Sequence, residues 1–146
     1  MKKFLMSAAL VAIATLPLLA QAQPKPEEQI KYRQGVFQVQ ARAFGTINAM
    51  NKGDVPFNAA TAQTQAHIIA TVSSLPWSAF GTGTENAKTK PEIWSDAAGF
   101  KAAQEKFQAS AVALEAAAKT GDANQVKTAW GNMGATCAAC HKAYRN

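Results

Sequence analysis

Cysteine and histidine side chains are concentrated in one short segment near the carboxyl end of the chain. The 146-residue sequence holds two cysteines, Cys137 and Cys140, and one of its two histidines, His141, directly follows the second. Two thiols at this spacing can form thioethers with the two vinyl groups of a haem, and the adjacent imidazole can ligate its iron. The triplet therefore predicts one covalently attached haem c per chain, with His141 as an axial ligand.

Two other kinds of site compete for the same residues. Redox-active Cys-x-x-Cys pairs lie at a helix N-terminus, where the helix dipole lowers the thiol pKa, whereas this pair falls in the last turns of a predicted helix. A structural zinc site needs four ligands, and His67 is the only further cysteine or histidine in the chain. Haem attachment is favoured, and a disulfide or dithiol stays as the alternative.

The position of the triplet limits which residue can ligate the other face of the iron. Only five residues follow His141, so a second ligand must come from upstream, where Met50, Met133 and His67 are the candidates. Met133 shares a predicted helix with His141 and cannot cross to the opposite face of the ring. Met50 and His67 stand at positions more typical of core or surface residues. The sequence favours an iron without a second protein ligand.

Apolar residues recur at helical spacing in four segments, which must position this triplet. The first predicted helix spans about residues 24–49, with Ile30, Phe37, Ala41, Phe44 and Ile47 as its apolar row. The second spans about 58–74. The third begins at a capping box of Thr89 and Glu92 and ends at Gly121, and the fourth begins at Asp122 and carries the triplet.

Residues 76–90 are expected to form a loop, because glycines and turn-forming residues dominate this stretch. The loop also carries Trp77 and Phe80, which predicts that it packs against the helices. No strand pattern is present. The sequence therefore predicts an all-α fold, an antiparallel four-helix bundle with the haem near its last helix.

The first 22 residues have the layout of a secretory signal peptide. Lys2 and Lys3 precede an apolar run from Leu5 to about Leu19, and the small-residue pattern of Ala20, Gln21 and Ala22 follows. A membrane anchor is the alternative, disfavoured because the run is short for a bilayer span. We expect export to the periplasm and a single soluble domain at residues 23–146, not held at a membrane.

The charge of the chain is mildly basic. Removal of the two leader lysines lowers the formal net charge from +6 to +4. The remaining lysines are scattered instead of forming a stripe interleaved with aromatic residues, so a nucleic-acid partner is not expected.

Several motifs spread over residues 23–146 resemble those of the cytochrome c′ family, which forms four-helix bundles. They are Lys31-Tyr32-Arg33-Gln34, Leu75 to Gly81 with Thr84-Glu85, Pro91 to Ala98, and Cys137 to Arg145. The resemblance implies a homodimer and a high-spin haem ligated by His141 alone. It also implies haem contacts from Arg33, Gln34, Phe37, Trp77, Phe80, Thr84, Glu85 and Arg145.

Three of these residues also have a physical rationale of their own. Arg33 lies on a buried row, where an unpaired guanidinium is costly, so a haem propionate is its expected partner and exposure to solvent the alternative. Phe37, one turn later, cannot coordinate iron and is expected to wall off its open face, or simply to fill the core. Arg145 either faces the haem or complements the dipole of the last helix.

The resemblance implies binding of nitric oxide or carbon monoxide at a five-coordinate iron. Dioxygen carriage is not expected, because an apolar face offers no hydrogen bond to that ligand. A periplasmic electron-transfer protein is the alternative. An enzyme is not expected, since no distal histidine is evident for acid–base chemistry. The expected dimer uses the first two helices, with Ala41, Ala43 and Gly45 near Phe44 and Ile47.

Overall fold

Four long helices enclose the core of the protein. The computed structural model describes residues 24–146 and contains α1 (Pro26–Lys52), α2 (Ala59–Val72), α3 (Glu92–Ser95), α4 (Ala97–Lys119) and α5 (Ala123–Tyr144), with a 3₁₀ segment at Leu75–Ala79. Helix α1 packs on α2 and α5, and α4 packs on α2 and α5, so the long helices form a closed ring. The all-α, antiparallel four-helix bundle expected from the sequence is confirmed.

Local signals place the ends of the first two helices. The backbone N–H of Lys25 donates to Glu28, and Pro26 occupies the first turn of α1, where its missing N–H costs nothing. Gly53 ends α1 at a φ of 80°, a left-handed conformation that glycine adopts without strain. The Asn58 side chain then accepts a hydrogen bond from the N–H of Thr61 and caps α2.

The third predicted helix is divided in two, and its predicted cap is wrong. The Thr89 hydroxyl bonds to the backbone of Asn86 within the preceding loop instead of capping a helix. Helix α3 is one turn long, and the helical conformation is interrupted at Asp96. The Asp96 carboxylate accepts the N–H of Gly99 and caps α4. The predicted start of the fourth helix is confirmed, because Asp122 accepts the N–H groups of Asn124 and Gln125.

The apolar core consists of two neighbouring clusters. The larger lies along the middle of the bundle and includes Ile47, Ile69, Leu114, Val126 and Met133, all at most 1% exposed. The smaller, formed by Ile93, Phe100 and Tyr144, lies at the end of the bundle that carries α3. Both clusters contact the 3₁₀ segment through Trp77.

The buried face of α1 differs from the predicted row. Its buried residues are Arg33, Gln40, Ala43, Ile47 and Met50, whereas Ala41 is exposed. The burial of Arg33 was expected, whereas a hydrophobic pattern counts glutamine as a surface residue. Gln40 is buried, and its amide donates to the carbonyl of Val72 at the end of α2.

Part of the expected dimer surface on α1 lies inside the subunit. Ala43 and Ile47 are 2% and 0% exposed inside the subunit, and the Phe44 ring stacks on Trp130 at 4.6 Å. Ala43 and Ile47 therefore belong to the core of one chain and are not available to a second copy. Phe44 is half-buried, Ala41 and Gly45 are exposed, and the dimer stays a prediction.

The predicted signal peptide, residues 1–22, lies outside the described residues. Among residues 24–146, no helix combines the length and apolar character that a membrane crossing requires.

Candidate functional site

The cysteines of α5 lie where the two core clusters meet. Both thiols are free and half-buried. Cys137 packs against the larger cluster and Cys140 against the smaller one. The three-residue spacing places both on one side of the helix, so this side presents two thiols to a continuous apolar surface.

The surroundings of the thiols disfavour a reactive dithiol. Burial raises the pKa of Cys137, and burial together with the neighbouring Cys137 raises the pKa of Cys140. Redox-active pairs have the opposite shift, because a helix N-terminus or a nearby cation stabilises their thiolate. Attachment of an apolar group to neutral thiols agrees better with this environment.

His141 follows at the outer edge of the same helix turn. Its side chain is largely exposed, yet its pKa is lowered, first by partial desolvation and then by the positive charge of Arg145. Both effects favour the neutral imidazole, which is the form that binds metal ions. Arg145 itself is exposed and extended, just beyond the end of α5.

Four aromatic side chains from three elements form one wall beside the cysteines. Phe37 of α1 contacts Trp77 and Phe80, with ring centroids 5.7 and 6.4 Å apart. Phe80 in turn contacts Phe100 of α4 at 5.1 Å. We call Phe37, Trp77, Phe80 and Phe100 the aromatic wall. It brings together three of the residues that sequence reasoning assigned to the site.

Phe100 and Tyr144 also lie beside the cysteines, although the sequence did not identify them as site residues. Phe100 contacts the ring of Tyr144 at 5.1 Å, and both belong to the cluster that Cys140 joins. The sequence signal was present, because both lie on predicted apolar rows. Only the packing of α3, α4 and α5 distinguishes them from ordinary core residues.

Arg33 is buried and bonded to the loop, so the alternative of solvent exposure is wrong. It is 2% exposed, and its guanidinium donates to the carbonyl oxygens of Ala79 and Thr84 at 2.9 and 2.6 Å and to the Thr84 hydroxyl at 2.9 Å. The guanidinium also lies 4.2 Å from the centre of the Phe80 ring. A bond from Arg33 to a haem propionate stays a prediction.

The remaining predicted contacts surround this arginine. Burial lowers the pKa of Arg33, and the charge of Glu85 acts against that shift. Thr84 is fully buried, and its hydroxyl donates to the carbonyl of Gly81. Gln34 and Glu85 are exposed. The loop is therefore joined to α1 through Arg33 on the side where the aromatic wall lies.

The candidate second ligands of an iron are engaged elsewhere. His67 is exposed on α2 and its Nδ1 lies 2.9 Å from a carboxylate oxygen of Glu115 on α4. Met50 is buried, and its sulfur accepts a hydrogen bond from the N–H of Asn58. Met133 is 1% exposed in the larger cluster. This agrees with the expectation that none of the three serves the site.

The residues present fit a covalently attached haem. Two neutral thiols three residues apart, an imidazole favoured in its neutral form and an adjacent aromatic surface are what such a group requires. Two shallow depressions of about 380 and 420 Å³ lie elsewhere, on α4 and α5 near Asn124 and on α1 near Gln29. Neither includes a residue of the triplet.

Known proteins are similar to this chain in sequence and fold. The family model for cytochrome c′ matches residues 28–145. A cytochrome c′ of Alcaligenes xylosoxydans xylosoxydans is 47% identical over 121 residues, covering 83% of this chain and 95% of the relative. One of Rubrivivax gelatinosus is 45% identical over 124 residues, with 83% and 96% covered.

A solved structure of the Alcaligenes xylosoxidans protein, the nitric oxide complex of a single-residue variant, has a TM-score of 0.79 at 47% identity. The match covers 84% of this chain and 97% of that one. Another variant of the same protein was solved with carbon monoxide bound.

Proposed function

The chain belongs to the cytochrome c′ family, and on that premise we propose that it is a periplasmic haem c protein that binds nitric oxide or carbon monoxide. The haem supplies an iron that can take a diatomic ligand. Cys137 and Cys140 would hold the haem through thioethers, and His141 would ligate its iron. The protein is not an enzyme in this proposal.

The observation that carries the proposal is the chemistry of the aromatic wall. Phe37, Phe80 and Phe100 have no hydrogen-bond donor, and the indole N–H of Trp77 is already donated to the carbonyl of Ser73 at 2.7 Å. A bound dioxygen is stabilised by a donor on the open face of the iron. A wall without an available donor instead suits nitric oxide and carbon monoxide, the ligands bound in the related structures.

Five-coordination is part of this proposal, and the same residues support it. Phenylalanine and tryptophan do not ligate iron, and Met50, Met133 and His67 are engaged in other contacts. His141 would therefore be the single protein ligand of the iron, which would leave room for an exogenous one. The apolar side chains of the aromatic wall would favour a ligand without charge.

Electron transfer by the same haem is the second proposal. It is favoured by the exposure of His141 and Lys142, which brings the attachment site close to the protein surface. A five-coordinate iron would reorganise more on electron transfer than a six-coordinate one, so this role ranks second.

The test is optical and magnetic spectroscopy of the protein produced with periplasmic haem attachment. We expect a high-spin ferric spectrum, a five-coordinate ferrous form, and new bands when nitric oxide or carbon monoxide is added. A low-spin six-coordinate iron in both oxidation states, unchanged by either gas, would refute gas binding and leave electron transfer.

A further inference from the structure

The chain after His141 is held in place by hydrogen bonds to a distant loop. Arg145 is extended and forms an isolated antiparallel bridge with Thr89. The N–H of Lys90 donates to the carbonyl of Tyr144 at 3.1 Å, and the N–H of Asn146 donates to that of Lys88 at 3.3 Å. We call residues 87–90 and 142–146 the C-terminal clasp.

Two side chains add to the clasp from opposite directions. The Asn146 amide donates to the carbonyls of Ala87 and Thr89, and the Lys90 ammonium donates to the carbonyl of Lys142 at 2.9 Å. The last carbonyls of a helix have no partner inside it. Here the clasp supplies partners, so the final turn of α5 is fixed where helix ends usually fray.

A buried side-chain contact joins the same turn to the start of α4. Tyr144 is 8% exposed, and its hydroxyl donates to Asp96 Oδ2 at 2.9 Å. The other oxygen of Asp96 accepts the N–H of Gly99, which caps α4. Asp96 therefore connects the first turn of one helix to the last turn of another.

Gly99 provides the room for this contact. A Cβ at position 99 would overlap the Asp96 carboxylate and lie 2.6 Å from the Tyr144 hydroxyl oxygen. Because Gly99 is helical with negative φ, its backbone conformation does not demand glycine. The demand comes from the Tyr144–Asp96 hydrogen bond, which an alanine would displace.

We propose that Tyr144, held by Asp96 and Gly99, is a positioning residue that fixes the imidazole of His141 relative to the aromatic wall. The inference rests on the proposed haem site. Tyr144 lies three residues after His141, so the two side chains leave adjacent turns of one helix face. The Tyr144 ring also contacts Phe100 of the aromatic wall. Tyr144 therefore links the helix turn that carries His141 to the wall.

The strength of a metal–imidazole bond depends on the position of the donor nitrogen within a few tenths of an ångström. If the last turn of α5 moves, the imidazole moves with it, because its backbone carbonyl accepts the N–H of Arg145 inside the clasp. Tyr144 would therefore influence the strength of the iron–imidazole bond through the position of His141, without touching the iron.

The test compares Tyr144→Phe and Gly99→Ala with the parent, as holoproteins. The readouts are the iron–imidazole stretching frequency of the ferrous protein, from resonance Raman spectra, and amide hydrogen exchange. We expect both variants to lower and broaden the stretching band. We also expect exchange within residues 142–146 to accelerate about two- to tenfold, the range for loss of one hydrogen bond.

Tyr32→Phe is the matched control, because Tyr32 is the other tyrosine and is 48% exposed on α1. It should leave both readouts unchanged. A merely structural role of Tyr144 would accelerate exchange but leave the stretching band at the parental frequency, and that result overturns the inference. Failure of the proposed function would look different, since the parent itself would then show no iron–imidazole band.

Discussion

In the proposed function, Phe37 is the residue on which gas selectivity should depend most directly. Its half-buried ring contacts Trp77 and Phe80 one turn after Arg33. We expect Phe37→Ala to raise the rate of carbon monoxide association with the ferrous protein, because truncation opens the apolar wall. The stability loss should stay below the about 3–5 kcal/mol typical of fully buried phenylalanines.

Phe57→Ala is the control for this variant. Phe57 is also half-buried, but it packs on the larger cluster beyond the end of α1. It should lower stability and leave the association rate unchanged. Stopped-flow mixing with carbon monoxide decides the matter: a folded Phe37→Ala protein with the parental rate would show that Phe37 does not obstruct the iron.

Arg33 should be irreplaceable by lysine. Its guanidinium reaches two carbonyl oxygens and a hydroxyl of the loop at once, a fork geometry that an ammonium cannot reproduce. We expect Arg33→Lys to lower the free energy of unfolding by about 1.5–3 kcal/mol, the range for a lost charge-assisted hydrogen bond. Urea denaturation measures it, and Arg42→Lys, at an exposed site on the same helix, should have little effect.

Residues with local chemistry were predictable from sequence, and residues defined by distant partners were not. The spacing of Cys137, Cys140 and His141 is sufficient to predict a haem-attachment site. The partners of Arg33 lie 46 and 51 residues away in a loop without periodicity. Sequence reasoning therefore recognised that Arg33 needs a buried partner but could not identify Thr84 and Ala79.

Among the helices, α2 and α4 are joined at their surface by an acidic group with two partners. Glu115 lies 2.9 Å from His67 on α2 and 3.0 Å from Lys119 on its own helix. Hydrogen bonds from His67, and then from Lys119, lower the pKa of Glu115 below its ordinary value of 4.5. A carboxylate whose pKa is lower in the folded state stabilises the protein above its unfolded pKa.

This contribution should disappear as the pH falls through the lowered pKa of Glu115. We expect Glu115→Gln to be less stable than the parent near pH 6. As the pH falls below 5, the parent should lose more of its free energy of unfolding than the variant does. Urea midpoints measured across that range test the sign. Glu105→Gln is the control, since Glu105 has one partner, Lys101, at 3.7 Å within its own helix; equal acid dependence of all three proteins would contradict the prediction.

Helix boundaries were predictable where the signal is local. Gly53, Asn58 and Asp122 act within four residues of themselves. The start of α4 was missed, although Asp96 caps it locally through the N–H of Gly99. The capping-box pattern favoured Thr89, whose hydroxyl instead bonds to the backbone of Asn86. The sequence also does not reveal that the Tyr144 hydroxyl, from 48 residues later, holds Asp96 in place.

For the whole molecule, covalent haem attachment is the first prediction. The mature, periplasmically produced protein should have the mass of residues 23–146 plus one haem, and the haem should survive extraction with acidified acetone. Cys137→Ser with Cys140→Ser provides the control, which should yield a chain without bound haem. A parent protein whose haem is extracted by acid would exclude thioether attachment.

Self-association is the second prediction at this scale. Two exposed apolar side chains of the first two helical elements are Val39 and, just after α2, Leu75, each more than 40% exposed. We expect a symmetric dimer through this face, and Val39→Lys to weaken it by placing two like charges near the axis. Sedimentation at concentrations on the order of tens of micromolar tests it; Val112→Lys on α4, also exposed, should leave association unchanged.

Each of the three tryptophans joins two elements through its indole N–H. Trp77 donates to Ser73 at the end of α2, Trp94 of α3 to Phe80, and Trp130 of α5 to Phe44 of α1. A haem absorbs light that indole emits, so the loaded protein should be nearly dark in ultraviolet fluorescence and the unloaded chain bright. In variants that keep a single tryptophan, the wavelength and intensity of its emission would show when its hydrogen bond breaks. Comparison of the three variants would show which contact between elements is lost first during unfolding.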